Sequence, residues 1–263
     1  EALKQIGIPS LIPETSVNFG AGIAYKISRK FSLVLDFYDI SVDDRIVLSG
    51  QVGPTGDVNH PLDQTLLDAG VGRIGFFLNA VDTKTTGLDV VFSYNDLIIG
   101  EGSLNGSISA NFNKTRVVGT NFPEFIVENN LESNIFSRED ISRMETWRPQ
   151  QKIVATNTYK IGKFSSVLTF LNYGKVTYRH PSDASNDVTY SGKWLTDLSF
   201  QYDLSKTINL TLGANNIFNV YPDTFTKAYS NNGGVPNDRN IDFVGRFKYP
   251  WQTTQFGIDG ARI

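Results

Sequence analysis

Cysteine is absent from the 263 residues, which rules out a disulfide framework and any thiolate metal site. Charge is scarce at 19%, below the usual quarter, and a net charge of −3 gives no whole-chain electrostatic reason to expect nucleic acid. No run of about 18 apolar residues occurs, so no transmembrane helix is expected. Helical periodicity is nearly missing. The opening "EALKQIGIPSLIPET" lacks the basic start and apolar run of a signal peptide, so either the chain is cytosolic or its true beginning lies elsewhere. Aromatic residues, by contrast, reach 12%, with 18 Phe and 11 Tyr. The mean hydropathy of −0.20 looks soluble. Barrel strands hide their membrane signal in alternation, however, so a membrane is not excluded.

Period-2 alternation is everywhere. In "SVNFGAGIAYKI" the apolar positions are Val17, Phe19, Ala21, Ile23, Tyr25 and Ile27. "FSLVLDFYDI" sets Phe31, Leu33, Leu35 and Phe37 against Ser32 and Asp36. "GLDVVFSYN" alternates Leu88, Val90, Phe92 and Tyr94 with Asp89, Ser93 and Asn95. Leu104, Ile108, Ala110 and Phe112 oppose Asn105, Ser107, Ser109 and Asn111. Trp194, Leu198, Phe200 and Tyr202 oppose Asp197, Ser199, Gln201 and Asp203, and Leu210 and Leu212 follow with Thr211 and Gly213 between. Stretches 150–161 and 163–179 read as strands with noisier alternation. About nine strands emerge, many of about 10–14 residues, where ~5–6 is usual in soluble sheets.

The connections separate into two sets. Tight links fall at 28–30, 162–163, 204–206 and near 96–102; long ones cover roughly 49–74, 116–147, 180–190 and 222–252. Short and long alternate strictly, as in an up-and-down meander trimmed at one end and elaborated at the other, the asymmetry of outer-membrane barrels. A soluble β-sandwich also alternates and also uses Gly-rich turns. Against it stand the strand lengths, the strict alternation of links, and a polar face of Asn, Ser, Asp, Gln and Gly rather than Lys and Glu. The fold class expected is all-β, an antiparallel up-and-down transmembrane β-barrel segment.

"LTLGANNIFNVYPDTF" (210–225) resembles the penultimate-strand signature of TonB-dependent outer-membrane receptors, a strand running into a "GxxNxFN" turn. "IPETSVNFGAGIAYKISRKFSLVLDFYDISVDDRIVLSG" (12–50) is similar to that family's hairpin with "PE.S.N...G" and "D.Y.I...DRI" strands. "TKTTGLDVVFSY" (83–94) and "FGIDGARI" (256–263) match two further strands in order. The Gly- and Asn-rich wording is similar to receptors of Bacteroidota-type bacteria. The resemblance implies that 1–263 is the C-terminal portion of a receptor barrel of about 22 strands, with the plug domain and earlier strands outside this sequence.

The same resemblance implies active import of a scarce ligand (siderophore, vitamin, oligosaccharide or peptide), powered by the TonB–ExbB–ExbD complex acting on the receptor's own plug. Outer-membrane lipids are the other expected partner, and there is room for a surface lipoprotein or a larger outer-membrane complex on the loops. A passive porin or structural barrel would use the same strands without a plug, and a carbohydrate-binding sandwich remains the soluble alternative. In the barrel, Tyr25, Phe37, Tyr94, Phe112, Trp194 and Tyr202 would face lipid or form the interfacial girdles. Asp36, Asp89, Asp197, Gln201 and Asn215 would face the lumen and the plug. Arg73, Phe76, Phe77, Phe122, Phe125, Trp147 and Tyr229, which combine rings and charge in the long loops, are the substrate-contact candidates.

Within 210–225, Asn216 is expected to start a change of register and Pro222 to end the ladder, since it has no N–H to give. No catalytic constellation or cofactor motif is present, so an enzyme is not expected. His60 and His180 are read as exposed loop residues. "GDVNHPLDQ" offers Asp57, Asn59 and Asp63 as oxygen donors but lacks the central Gly and terminal Glu of a calcium loop. "NNGGVPNDRN" (231–240) is too rich in Gly and Asn to pack and reads as an external loop.

Overall fold

A computed structural model describes residues 2–5, 7–224, 229–231, 235–237, 249, 257 and 260–262. In chain order the strands are β1 (Thr15–Lys26), β2 (Phe31–Leu48), β3 (Phe77–Ile99), β4 (Gly102–Thr120), β5 (Gln151–Ile161), β6 (Phe164–Tyr173), β7 (Val176–Tyr178), β8 (Val188–Tyr190), β9 (Lys193–Asp203), β10 (Asn209–Ala214), β11 (Tyr229–Asn231) and β12 (Val235–Asn237). Five short helices, α1 (Ala2–Gln5), α2 (Pro61–Asp68), α3 (Glu124–Glu128), α4 (Glu132–Ile135) and α5 (Arg138–Glu145), fall outside the strands. Eight strands form one antiparallel meander in the order β1-β2-β3-β4-β5-β6-β9-β10, and β7–β8 and β11–β12 are separate hairpins. The expected short and long links alternate as read as far as β10; the last long link, 222–252, with its 231–240 stretch, lies largely outside the described residues. The expected ninth strand, 256–263, lies largely outside the described residues; there Asn215 and Arg262 exchange both backbone hydrogen bonds, at 2.7 and 3.1 Å.

Between the bulges at the two ends of β3, the register keeps one parity from strand to strand. One row runs Phe37–Leu88–Phe112–Gln151, and the next position runs Asp36–Asp89–Asn111–Lys152–Tyr173. On the far side, Phe164 pairs with Tyr202, Leu168 with Leu198, and Leu198 with Ala214. Because a strand alternates faces, this register gathers most of the large apolar and aromatic side chains on one face of the sheet, with Val34, Val91, Val154, Val167 and Leu171 on the other. That face is uncovered even on interior strands: Phe37, Leu88, Ile108, Phe112, Trp194 and Phe200 are all exposed. Among the described residues no second sheet packs against it, as a sandwich core would require.

Three strands outrun the rest. β2, β3 and β4 span 18, 23 and 19 residues, and their far ends carry the buried apolar core. Val47, Leu78, Ala80 and Val81 meet Val52, Leu62, Leu66 and Phe76 from the 49–76 connection and Ile126, Ile135 and Phe136 from the 121–150 connection. The 49–76 and 121–150 connections are therefore a packed cap rather than loose links, and α2 to α5 sit inside them. Each is too short to show a sustained stripe, but two carry capping signals: His60 accepts the Leu62 N–H ahead of Pro61, and Ser137 with Asp140 forms a capping box.

Two sequence expectations are corrected. Stretch 163–179 is not one strand: it breaks after Tyr173, where the Gly174 N–H bonds back to Gln151, and β7–β8 folds as its own hairpin against Trp147. The β10 ladder ends at Ala214, well before Pro222, because Asn216 adopts a left-handed backbone (φ 50°). The Asn216 side chain is buried, accepting the Val220 N–H at 2.9 Å and donating to its carbonyl at 2.8 Å. Asn tolerates positive φ better than most residues, and its amide holds the turn closed.

Candidate functional site at the loop end and the polar face

The polar face opposite the apolar one is locally networked. Asn111 Nδ2 donates to Asp89 at 2.6 Å and to the Tyr38 hydroxyl at 3.2 Å, and Asn113 donates to Asn111 at 2.6 Å. The Tyr38 ring lies across Gly87, where any Cβ would come within 2.0 Å of it, so only glycine fits beneath. Thr85 and Thr115 share a hydrogen bond at 2.8 Å, and Thr156 and Thr169 one at 3.3 Å. Asp36, Asp89, Asp197 and Gln201 occupy this parity in the register. Asp197 also has a local structural task, accepting the Asn216 N–H at 2.7 Å. Asn215 is held by its backbone to Arg262.

The six aromatic positions expected on the other face share its parity, and they form two belts. Phe37, Phe112 and Trp194 lie toward the long loops, and Tyr25, Tyr94 and Tyr202 toward the tight turns. Rings stack along the second belt, Phe31 on Phe92 at 5.9 Å and Phe164 on Phe200 at 5.7 Å. The Tyr94 hydroxyl donates to Asn157, so this polar side chain on the apolar parity of β5 has a partner.

The loop candidates do not converge on one site. Phe76 is 4% exposed and fills the loop core, so its ring is not on the surface. Phe122 and Phe125 pack against the same core, with the Phe125 ring 5.5 Å from His60. Trp147 belongs to a second cluster with Val176, Tyr178, Val188 and Tyr190, under the Arg143 guanidinium at 5.0 Å. Arg73 and Phe77 are exposed. Tyr229 falls in β11, and its side chain lies outside the described residues.

Sequence reasoning missed the ties that fix this end. Glu14 accepts the Ile46 N–H at 2.8 Å beside a register break, where Asp44 sits at φ 56° and donates its N–H to Asp82 at 2.9 Å. Asn79 clamps Ile12 through both amide atoms at 2.9 Å. The "PET" and "DDRI" segments singled out above are thus joined physically. Arg138 grips Asp187 through two hydrogen bonds, at 2.8 and 3.2 Å, and Arg179 pairs with Glu145 at 2.8 Å, docking the 174–192 hairpin onto α5. Burial pushes the Asp187 carboxyl up, but Arg138, the His180 N–H and the Arg179 charge outweigh it and hold the group below its ordinary range. Asp63 is the same case: burial raises it, while the Thr55 and Gly56 hydrogen bonds and His60 lower it further. Asp63 is therefore spent on its own loop. Among the described residues no His, Asp and Glu cluster could hold a metal ion.

Residues 3–217 match the family profile described as TonB dependent receptor-like, beta-barrel. No curated protein matches the chain by sequence. Among solved structures the fold is similar to the outer membrane transporter YddB from Escherichia coli, with a TM-score of 0.56 and 12% identity over 81% of this chain and 30% of that one. It is also similar to the FrpB iron transporter from Neisseria meningitidis (0.54, 16% identity, 80% of this chain and 28% of that one). A third likeness is to the ferric-catecholate import receptor Fiu from E. coli K12 (0.51, 12% identity, 81% and 24%). This chain spans under a third of each of these proteins, and at such identities the likeness is one of fold.

Proposed function

The chain belongs to the TonB-dependent receptor β-barrel family, and from that premise we propose that it is the C-terminal part of an outer-membrane barrel that imports a scarce ligand. The family's barrels lie in the outer membrane, and its members are transport receptors rather than enzymes. The observation that carries the reading is the uncovered apolar face. A soluble protein rarely exposes contiguous apolar patches of more than a few hundred Å², yet here one register-coherent face of an eight-stranded sheet is bare. Lipid is the solvent that suits it.

The remaining parts of the reading follow from that orientation. β1 and β10 each leave a ladder edge with little or no pairing among the described residues, and a bilayer requires closure, so further strands complete the barrel toward about 22. The Tyr38–Asp89–Asn111–Asn113 network then faces the lumen, where neutral and acidic groups suit hydrogen bonds to a plug that must later loosen. The packed loop cap faces the outside and, through Arg73 and Phe77, offers the exposed ring and charge for a first ligand contact. TonB with ExbB and ExbD supplies the energy through the plug.

The test is transport in the native cell. Deleting this receptor and, separately, inactivating TonB should both abolish energised accumulation of the same labelled nutrient from a panel of iron chelates, cobalamins, oligosaccharides and peptides. Uptake that survives loss of TonB but not of the receptor would make the barrel a passive pore.

A further inference from the structure

The chain holds two histidines, and each stands before a proline in a long connection: His60-Pro61-Leu62 in 49–76 and His180-Pro181-Ser182 in 174–192. Both are half-buried rather than fully exposed, and both have the same task. Proline has no N–H, so the first amides after it depend on an acceptor that precedes it. At each site the imidazole is that acceptor. His60 Nδ1 accepts the Leu62 N–H at 3.2 Å at the start of α2. His180 Nδ1 accepts the Asp183 N–H at 3.1 Å and the Ser182 N–H at 3.4 Å. Proline also keeps the residue before it extended, as His60 is at φ −70° and ψ 135°.

A ring nitrogen that accepts must be unprotonated. The histidinium ring has only donors, so it would point an N–H at an N–H. The charged groups around the two rings differ. His60 lies within reach of the Asp63 charge on α2, its N–H is held by the Asp57 carbonyl at 2.8 Å, and the Phe125 ring of α3 covers it. His180 lies within reach of Asp183 and gives its N–H to Asp187 at 2.9 Å. From α5, Arg138 donates to the His180 carbonyl at 3.0 Å, while Glu145 is taken by Arg179. Asp63 already holds the Thr55 and Gly56 N–H groups, and Asp183 that of Ser185. A histidinium drawn toward either carboxylate gives up its own turn and competes for a neighbouring one.

We propose that the two His-Pro turns form an acid-sensitive pair that loosens the loop cap when the imidazoles protonate. Histidine is the side-chain type whose ordinary charge change falls between about pH 5 and 8. The contact needs the neutral ring, so acid removes it and alkali does not. Asp63, Asp183 and Asp187 are held below the ordinary 3.8, so the carboxylate contacts that dock the loops outlast the turns as the pH falls. Acid therefore acts in two steps, on the turns first and on the docking later. That the cap meets the outside medium rests on the barrel reading above; the switch rests on the two turns alone.

The intact receptor in nanodiscs would be labelled with deuterium at about pH 7.5 and about pH 5, with times scaled for intrinsic exchange. Amides of 62–66 and 182–187 should exchange about fivefold faster in acid, the loss of about one hydrogen bond, while those of β5 stay unchanged. His60→Asn and His180→Asn each put an amide oxygen, which does not titrate, in the acceptor's place. Each should abolish the acceleration at its own turn and leave the other turn's response intact. Equal exchange at the two pH values in the unmutated receptor would overturn the proposal, whether or not the variants fold. Acceleration that survives in both asparagine variants would overturn it as well and move the response to the carboxylates. In either case a receptor that still needs detergent for extraction leaves the barrel reading intact.

Discussion

Leu198→Arg tests the face assignment at its most sensitive point. Leu198 lies midway along the apolar row of β9 between Trp194 and Tyr202, flanked by Leu168 on β6 and Ala214 on β10. At ~3.3 Å per residue it is about 13 Å along the strand from each girdle ring. With a tilt of ~40° that is about 10 Å of height, close to the midplane of a ~25 Å apolar band. An arginine there must leave hydrocarbon or drag water in, and costs about 2–4 kcal/mol. Ser199, one position on, pairs with Val167 and Gly213 on the other face. Ser199→Arg should cost less than about 1 kcal/mol, since its guanidinium meets water or polar groups. The assay is urea unfolding of the intact receptor in lipid vesicles, followed by the heat-modifiable gel shift. Equal penalties at the two positions, or a larger one at Ser199, would refute the reasoning.

Three further perturbations probe the cap and the turn. Asn216→Ala removes two side-chain hydrogen bonds from a buried, left-handed residue and should destabilise by about 2–4 kcal/mol, with Asn216→Gly recovering only the backbone share; equal losses for the two variants would deny the amide its role. Asp63 and Asp187 are held below the ordinary value of 3.8 in the folded loops, so their contribution is complete above that value and is lost as the pH falls through the lowered one. Pepsin digestion should therefore open the 49–76 and 174–192 connections increasingly below about pH 4 while the sheet persists; cutting that tracks only pepsin's own pH profile on an unfolded peptide would remove the linkage. Phe76→Ala should leave a cavity in the loop core worth about 3–5 kcal/mol locally, read as faster hydrogen exchange across 49–76 and 121–150; unchanged exchange would mean the loops do not share a core.

What was legible in the sequence was whatever repeats with a short period. Val17 to Ile27, Leu88 to Tyr94 and Trp194 to Tyr202 each declare a face within their own strand, and the sheet register joins those faces without a slip of parity. The loop cap was not legible, because its core is assembled from single residues far apart, such as Ile8, Val52, Phe76 and Ile135. No window of sequence contains that pattern. The ring-rich loops therefore suggested ligand contacts, where Phe76 and Trp147 pack the loops themselves. The Asn216 turn could have been read from "NNIFN", since two asparagines at positive φ, 216 and 219, hold it. The break at Gly174 had a signal as well, the "YGK" between two apolar runs.

The most direct measurement of the central claim uses the absence of cysteine from these 263 residues, with any cysteine elsewhere in the receptor replaced first. Single cysteines placed in turn from Lys193 to Asp203 would be spin-labelled in the reconstituted receptor, and their access to oxygen in lipid and to a nickel chelate in water recorded. Positions 194, 196, 198, 200 and 202 should favour oxygen and the intervening positions the chelate or neither, with the strongest contrast at 198. A flat profile, or chelate access on both parities, would contradict a membrane-spanning barrel and with it the importer.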